Sequence, residues 1–121
     1  MTGPRLRSQA WLAGDDEVAV EHRVALASAG LAVSKAADRP VIGIANSASE
    51  LNPCNLPLRD LTGEVKAGIE EAGGIGAEFG TISLGEDLMK PSAMLYRNLL
   101  AIEIEEMVRA NPLDGVVLLA N

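Results

Sequence analysis

The 121 residues, 48% of them hydrophobic, suffice for one domain around one buried core. Ten Lys and Arg against seventeen Asp and Glu give a net charge of −7, and Trp11, Phe79 and Tyr96 are the only aromatic residues, so a nucleic-acid surface built from basic and stacking side chains is excluded. Every apolar stretch ends in charge, Gly or Pro well short of the ~18 residues that a membrane span requires, so no membrane partner is expected.

Residues 1–14 carry Gly, Pro, Arg and Ser without a clear period and read as an irregular N-terminal arm; residues 15–121 read as a partial α/β domain. The apolar part of the arm is too short for a signal peptide core and is closed by Asp15 and Asp16, so no export signal is expected. Asp15 or Asp16 can cap a helix near residues 16–29, with Gly30 as its stop. Its His22 reads as a surface or interface residue and not as a catalytic base.

Pro40 to Asn46 is continuously apolar and rich in β-branched residues, the pattern of a strand covered on both faces. Ser47 to Pro57 follows as a long loop, stiffened by proline on either side of Cys54. Leu58, Leu61, Val65, Ile69 and Ala72 recur at helical spacing, and Gly73-Gly74 closes that helix. The glycines precede a strand and follow a helix, the reverse of a phosphate loop. A second strand is predicted at Glu78 to Leu84, ended by Gly85-Glu86-Asp87. Pro91 and Ser92 open a helix through Arg109 that lacks a dinucleotide fingerprint and stops at Asn111-Pro112. On that helix Leu95, Leu99 and Ile102 lie nearly opposite Leu100, Ile104, Met107 and Val108, so two apolar faces need cover. One suits the sheet; the other suits chain outside this segment or a second subunit. Gly115 to Asn121 reads as a third buried strand.

The resulting βαβαβ order implies a short parallel sheet in a three-layer-type α/β fold. Ligands gather beyond the carboxyl ends of such strands. That rule places Asn46, Ser47, Glu50 and Cys54, then Glu86 and Asp87, then Asn121 along one rim. Thiolate sulfur suits iron and carboxylate oxygen suits magnesium. A lone cysteine is most often a small buried hydrophobe, and loop carboxylates are most often solvated, so composition and spacing leave both readings open. With Cys54 the only cysteine, no internal disulfide can form, which fits a reducing, cytoplasmic setting.

Whole phrases sharpen this picture: Arg39 to Ser47, Ser49-Glu50-Leu51-Asn52-Pro53-Cys54-Asn55, Leu58-Arg59-Asp60-Leu61, Glu71-Ala72-Gly73-Gly74, Thr81-Ile82-Ser83 and Asn111 to Leu119. In order and wording they resemble the iron–sulfur dihydroxy-acid and sugar-acid dehydratases. Ser83 to Pro91 with Met94 to Leu99 is more similar to the arabonate/xylonate branch. The resemblance implies a hydro-lyase converting a 2,3-dihydroxy carboxylate, a small sugar acid or dihydroxy acid, to a 2-keto-3-deoxy acid. It also implies an iron–sulfur cluster, 2Fe–2S in preference to 4Fe–4S, with Cys54 as one ligand, and a magnesium ion with Glu86 as one ligand. The family's remaining ligands and base match nothing here, so the resemblance identifies a truncated N-terminal part of a larger α/β domain, inactive by itself, from a homodimer or homotetramer. The competing expectation is a small flavodoxin-like binding module in which Cys54 is structural.

Overall fold

A computed structural model describes residues 5–35 and 38–121. Residues 1–4 of the arm lie outside the described residues. The remainder of the arm is not irregular throughout: Gln9–Leu12 forms a single helical turn, α1, whose Leu12 is buried in the core beside Val41 and Leu113. The second helix, α2 (Glu17–Ser28), starts where Asp16 Oδ1 accepts the Ala19 N–H at 2.8 Å. It ends at Gly30, whose φ of +84° is readily adopted only without a side chain.

Three strands follow: β1 (Val41–Asn46), β2 (Ile75–Gly80) and β3 (Gly115–Leu119). They form one parallel sheet in the order β2-β1-β3. A 3₁₀ turn at Leu56–Leu61, with Pro57 in its first turn, leads into α3 (Thr62–Glu71). A second one at Ala93–Tyr96 leads into α4 (Arg97–Ala110). Each of these helices was expected as one continuous element. The first turns of each are wound as 3₁₀ helix, as helix starts often are, and the non-helical Tyr96 (φ −116°) marks the break before α4.

Register assigns the faces. Ile42 and Ile44 share one face with Gly76 and Val117, and α3 lies against it: a side chain at Gly76 would meet Lys66 and Ile69. The opposite face packs Val41, Ala77 and Phe79 with Leu12, Trp11 and Leu26 from the first two helices and Val108 from α4. Sheet between helical layers is the expected α/β architecture.

Two strand expectations are corrected. The second strand begins at Ile75, not Glu78, because Gly73 (φ +89°) turns the chain at once and the Ile75 N–H donates to Pro40 O. It ends at Gly80, where its partner ends at Asn46; beyond it the Ile82 N–H donates to the Glu103 carboxylate instead of a strand. The third strand is not buried on both faces. It is the sheet's edge, and Leu118 is 57% exposed. The two-faced reading agrees with exposed Leu95, in the turn that leads into α4, and Leu99 and Ile102 of α4 itself, set against half-buried Leu100, Ile104, Met107 and Val108.

The amino ends of the strands are lashed together. Asp114 accepts the Ser8 N–H at 2.9 Å through one oxygen and the Val41 N–H at 2.8 Å through the other. Arg7 donates to the carbonyls of Arg109, Asn111 and Leu113 at the end of α4, and Arg39 to those of Gly73 and Gly74. Arg7 also lies 4.6 Å from the centre of the Trp11 ring, a cation–π contact.

Candidate functional site

At the other end of the sheet, Asn46 is level with both Gly80 and Leu119, so all three strand exits open on one rim. The exit from β1 is the most heavily bonded. Ser47 donates its backbone N–H (3.0 Å) and hydroxyl (2.8 Å) to Leu119 O, and its hydroxyl accepts the Asn55 side-chain amide at 2.9 Å. Asn46 accepts the Ala48 N–H and donates to Thr62 Oγ1, fastening the strand exit to the start of α3. Asn52 donates to Ser83 Oγ at 2.9 Å, joining this loop to the one that leaves β2. Asn46, Ser47, Asn52 and Asn55 are all buried and all bonded, as polar groups taken out of water must be.

Cys54 sits on this scaffold but is itself exposed, with Sγ 3.9 Å from Asp87 Oδ2. A packing role for the thiol, which a flavodoxin-like module with a structural cysteine would require, does not describe an exposed side chain. Glu86, next to Asp87, turns the other way along the chain: its Oε1 accepts the Ser92 hydroxyl at 3.0 Å and the Ala93 N–H at 3.1 Å. The Ala93 N–H foremost, then the Ser92 hydroxyl, hold the Glu86 carboxyl below the usual glutamate range, and Arg97 adds a smaller push in the same direction. Glu50 is exposed elsewhere on the loop. A cleft of about 250 Å³ opens beside the Asn52–Ser83 bond, lined by Ser47, Asn55, Tyr96, Arg97 and Asn121 among others; neither Cys54 nor Glu86 lines it. His22 is remote from the rim, its Nδ1 3.1 Å from Trp11 O.

Sequence reasoning picked out Asn46, Ser47, Glu50, Cys54, Glu86, Asp87 and Asn121, all in segments that leave this end of the sheet, with Glu50 making no bond to the others among the described residues. It missed Asn52, Asn55, Ser83 and Ser92 as bonded elements of the site. Ser92 carried a local signal, a serine at a helical start whose hydroxyl accepts the Met94 N–H two residues on. The two asparagines carried only their position beside the cysteine.

A profile of the dihydroxy-acid/6-phosphogluconate dehydratase N-terminal family matches residues 39–121, more than half of the chain. The chain belongs to that dehydratase family. L-arabonate dehydratase of Azospirillum brasilense is 47% identical over 119 residues, 98% of this chain and 20% of that protein. The 6-deoxy-6-sulfo-D-gluconate dehydratase of Pseudomonas putida is 48% identical over 94% of the chain and 20% of its own length. Dihydroxy-acid dehydratase of Koribacter versatilis is 42% identical over 68% of the chain and 15% of its length. The chain thus spans about a fifth of the length of the curated dehydratases it matches most fully.

The donor chemistry at the rim suits both groups the family resemblance implies, sulfur for iron and oxygen for magnesium. The donor number completes neither: among the described residues no three His, Cys, Asp or Glu side chains are grouped to hold a metal ion.

Proposed function

We propose that this chain supplies one ligand to each of two metal centres in a hydro-lyase that dehydrates a 2,3-dihydroxy carboxylate to a 2-keto-3-deoxy acid. Cys54 is the ligand to an iron–sulfur cluster, of 2Fe–2S type, and Glu86 the ligand to magnesium. The observation that carries this reading is the approach of Cys54 Sγ to Asp87, the neighbour of Glu86, on a shared rim in a chain of the dehydratase family. When bound, the cluster offers an iron Lewis acid for the departing 3-hydroxyl, and magnesium offers positive charge beside the substrate carboxylate and 2-hydroxyl.

The chain's own residues prepare the two donors. The Ser92 hydroxyl and the Ala93 N–H both donate to Glu86 Oε1, which restrains the carboxylate and favours its charged form, the form that a hard cation takes. Cys54 presents an accessible sulfur from a loop whose flanking asparagines are held, Asn52 by Ser83 beyond β2 and Asn55 by Ser47 at the exit of β1. The substrate is a sugar acid of the arabonate class, since the match to arabonate dehydratase spans nearly the whole chain while that to a dihydroxy-acid dehydratase spans two thirds. The whole protein is cytoplasmic and homo-oligomeric, and the exposed Leu95, with Leu99 and Ile102 of α4, is covered there. Alone, with one thiol, the 121-residue chain is inactive.

The test is a chimera in which this chain replaces the matching fifth of the Azospirillum arabonate dehydratase, reconstituted with iron and sulfide and assayed for 2-keto acid formation from arabonate. Turnover that disappears with bound iron in Cys54→Ser, and turnover lost in Glu86→Gln with iron retained, is the expected pattern. A Cys54→Ser chimera that keeps its iron and its rate would refute the assignment.

A further inference from the structure

Cys54 and Glu86 lie on loops from different strands, β1 and β2, and neither side chain bonds to the other's loop except through the long Cys54–Asp87 contact. Two donors on separate loops serve adjacent centres only if something fixes the loops relative to each other. A single side chain spans them closely. Asn52, two residues before the cysteine and 5% exposed, donates to Ser83 Oγ at 2.9 Å, three residues before Glu86. Its other amide atom, Oδ1, faces Gly85, where an added Cβ would come to 2.8 Å. The loop from β2 therefore rests on the Asn52 amide by a bond at Ser83 and by close packing at Gly85. On the other flank of the cysteine, Asn55 is bonded to Ser47, which is bonded in turn to β3.

We propose that Asn52 is a positioning residue that sets the separation of the Cys54 and Glu86 loops, through the Ser83 hydrogen bond and the Gly85 contact. This rests on the ligand roles proposed above for their functional meaning, while the coupling itself is a property of the chain. Without the bond, the buried amide loses its partner and the β2 exit, which leaves the sheet at Gly80, has among the described residues no other side-chain hydrogen bond to the cysteine loop shorter than the Cys54–Asp87 contact. Gly85 follows from the same geometry, because any side chain there displaces the loop from Asn52.

The single cysteine makes the coupling measurable. A nitroxide attached to Cys54 broadens the backbone amide signals of Gly85, Glu86 and Asp87 in the folded chain. Asn52→Leu and Ser83→Ala are each expected to reduce that broadening at least twofold, with broadening at Ser47 and Asn55 unchanged, and the double variant to reduce it no further. Asn52→Asp restores it, since the Ser83 hydroxyl can donate to a carboxylate; combining Asn52→Asp with Ser83→Ala does not. In the chimera, Asn52→Leu raises the magnesium concentration for half-maximal rate by about 10-fold or more, as loss of a support behind a metal ligand does. Broadening at Gly85 to Asp87 that persists in Ser83→Ala overturns the proposal, and that variant decides the matter even where Asn52→Leu does not fold. An intact tie in a chimera whose iron ignores Cys54 would sink the metal assignment alone; iron held by Cys54 with no response to Ser83→Ala would sink the positioning role alone.

Discussion

Asp114 offers a sharp test of how the sheet is held. Its two oxygens each accept a backbone N–H, from Ser8 and from Val41, and these residues are 0% and 1% exposed. In Asp114→Ala both donors lose their acceptor at a half-buried site. A buried donor left unpaired costs about 1–3 kcal/mol, and the partial burial of both bonds limits the pair to a loss of about 2–5 kcal/mol. Against the ~5–15 kcal/mol that holds a small domain folded, this is a large fraction. With a urea slope of about 2 kcal/mol per molar, the unfolding midpoint falls by about 1–2.5 M. Asp114→Asn keeps one acceptor oxygen and is expected to lose roughly half as much. Amide exchange gives the local counterpart: Val41 and Ser8 lose protection first in Asp114→Ala. A midpoint shift worth less than about 0.5 kcal/mol, with protection at Val41 unchanged, would refute the reasoning.

Ser8 Oγ is buried with no hydrogen-bond partner among the described residues, so Ser8→Ala is expected to raise stability by about 1 kcal/mol; a loss of stability in the same denaturation assay would show an unseen partner. Gly43→Ala places a methyl 2.8 Å from Leu113 Cδ1 and 3.1 Å from the Phe79 ring in the packed layer, and overpacking there should lower stability by about 1–3 kcal/mol, a thermal melt unchanged by the substitution being the contrary result. Asp15, paired with Lys35, has its carboxyl held below the ordinary aspartate range by the lysine's hydrogen bond and charge. A lowered folded value means that its contribution to stability is present above the unfolded aspartate range and is lost as pH falls through the folded value. NMR titration of the Asp15 carboxyl should show a midpoint that rises on Lys35→Ala and with added salt; a midpoint indifferent to both would contradict the pairing.

Much of the fold was legible because the strongest local signals agree with the tertiary arrangement. The β-branched run at Val41 to Asn46 is the central strand, Asp16 is an N-cap with its bond made, and Gly30 and Gly73 are the positive-φ stops expected of them. Errors came where packing overrules composition. Ile75-Gly76-Ala77 has weak strand propensity, yet pairing to Val41, Ile42 and Gly43 makes it strand, while the more β-prone Ile82 leaves the sheet for Glu103. Gly115 to Asn121 reads as a buried strand, but Val116 and Leu118, which point to the same face, are exposed, which the apolar composition of the run gives no sign of. At the rim, Cys54 and Glu86 were singled out through donor chemistry and family wording. Asn52 and Ser83 were not, because a hydrogen bond between residues 31 positions apart leaves no trace in local pattern.

The lashing of the strands' amino ends by Asp114, Arg7 and Arg39 bears on how the chain tolerates change. These contacts lie at the pole opposite the strand exits and make no use of the loops bearing Cys54 and Glu86. Substitutions in those loops therefore leave that belt of bonds whole, and what they disturb is confined to the bonds at the rim itself.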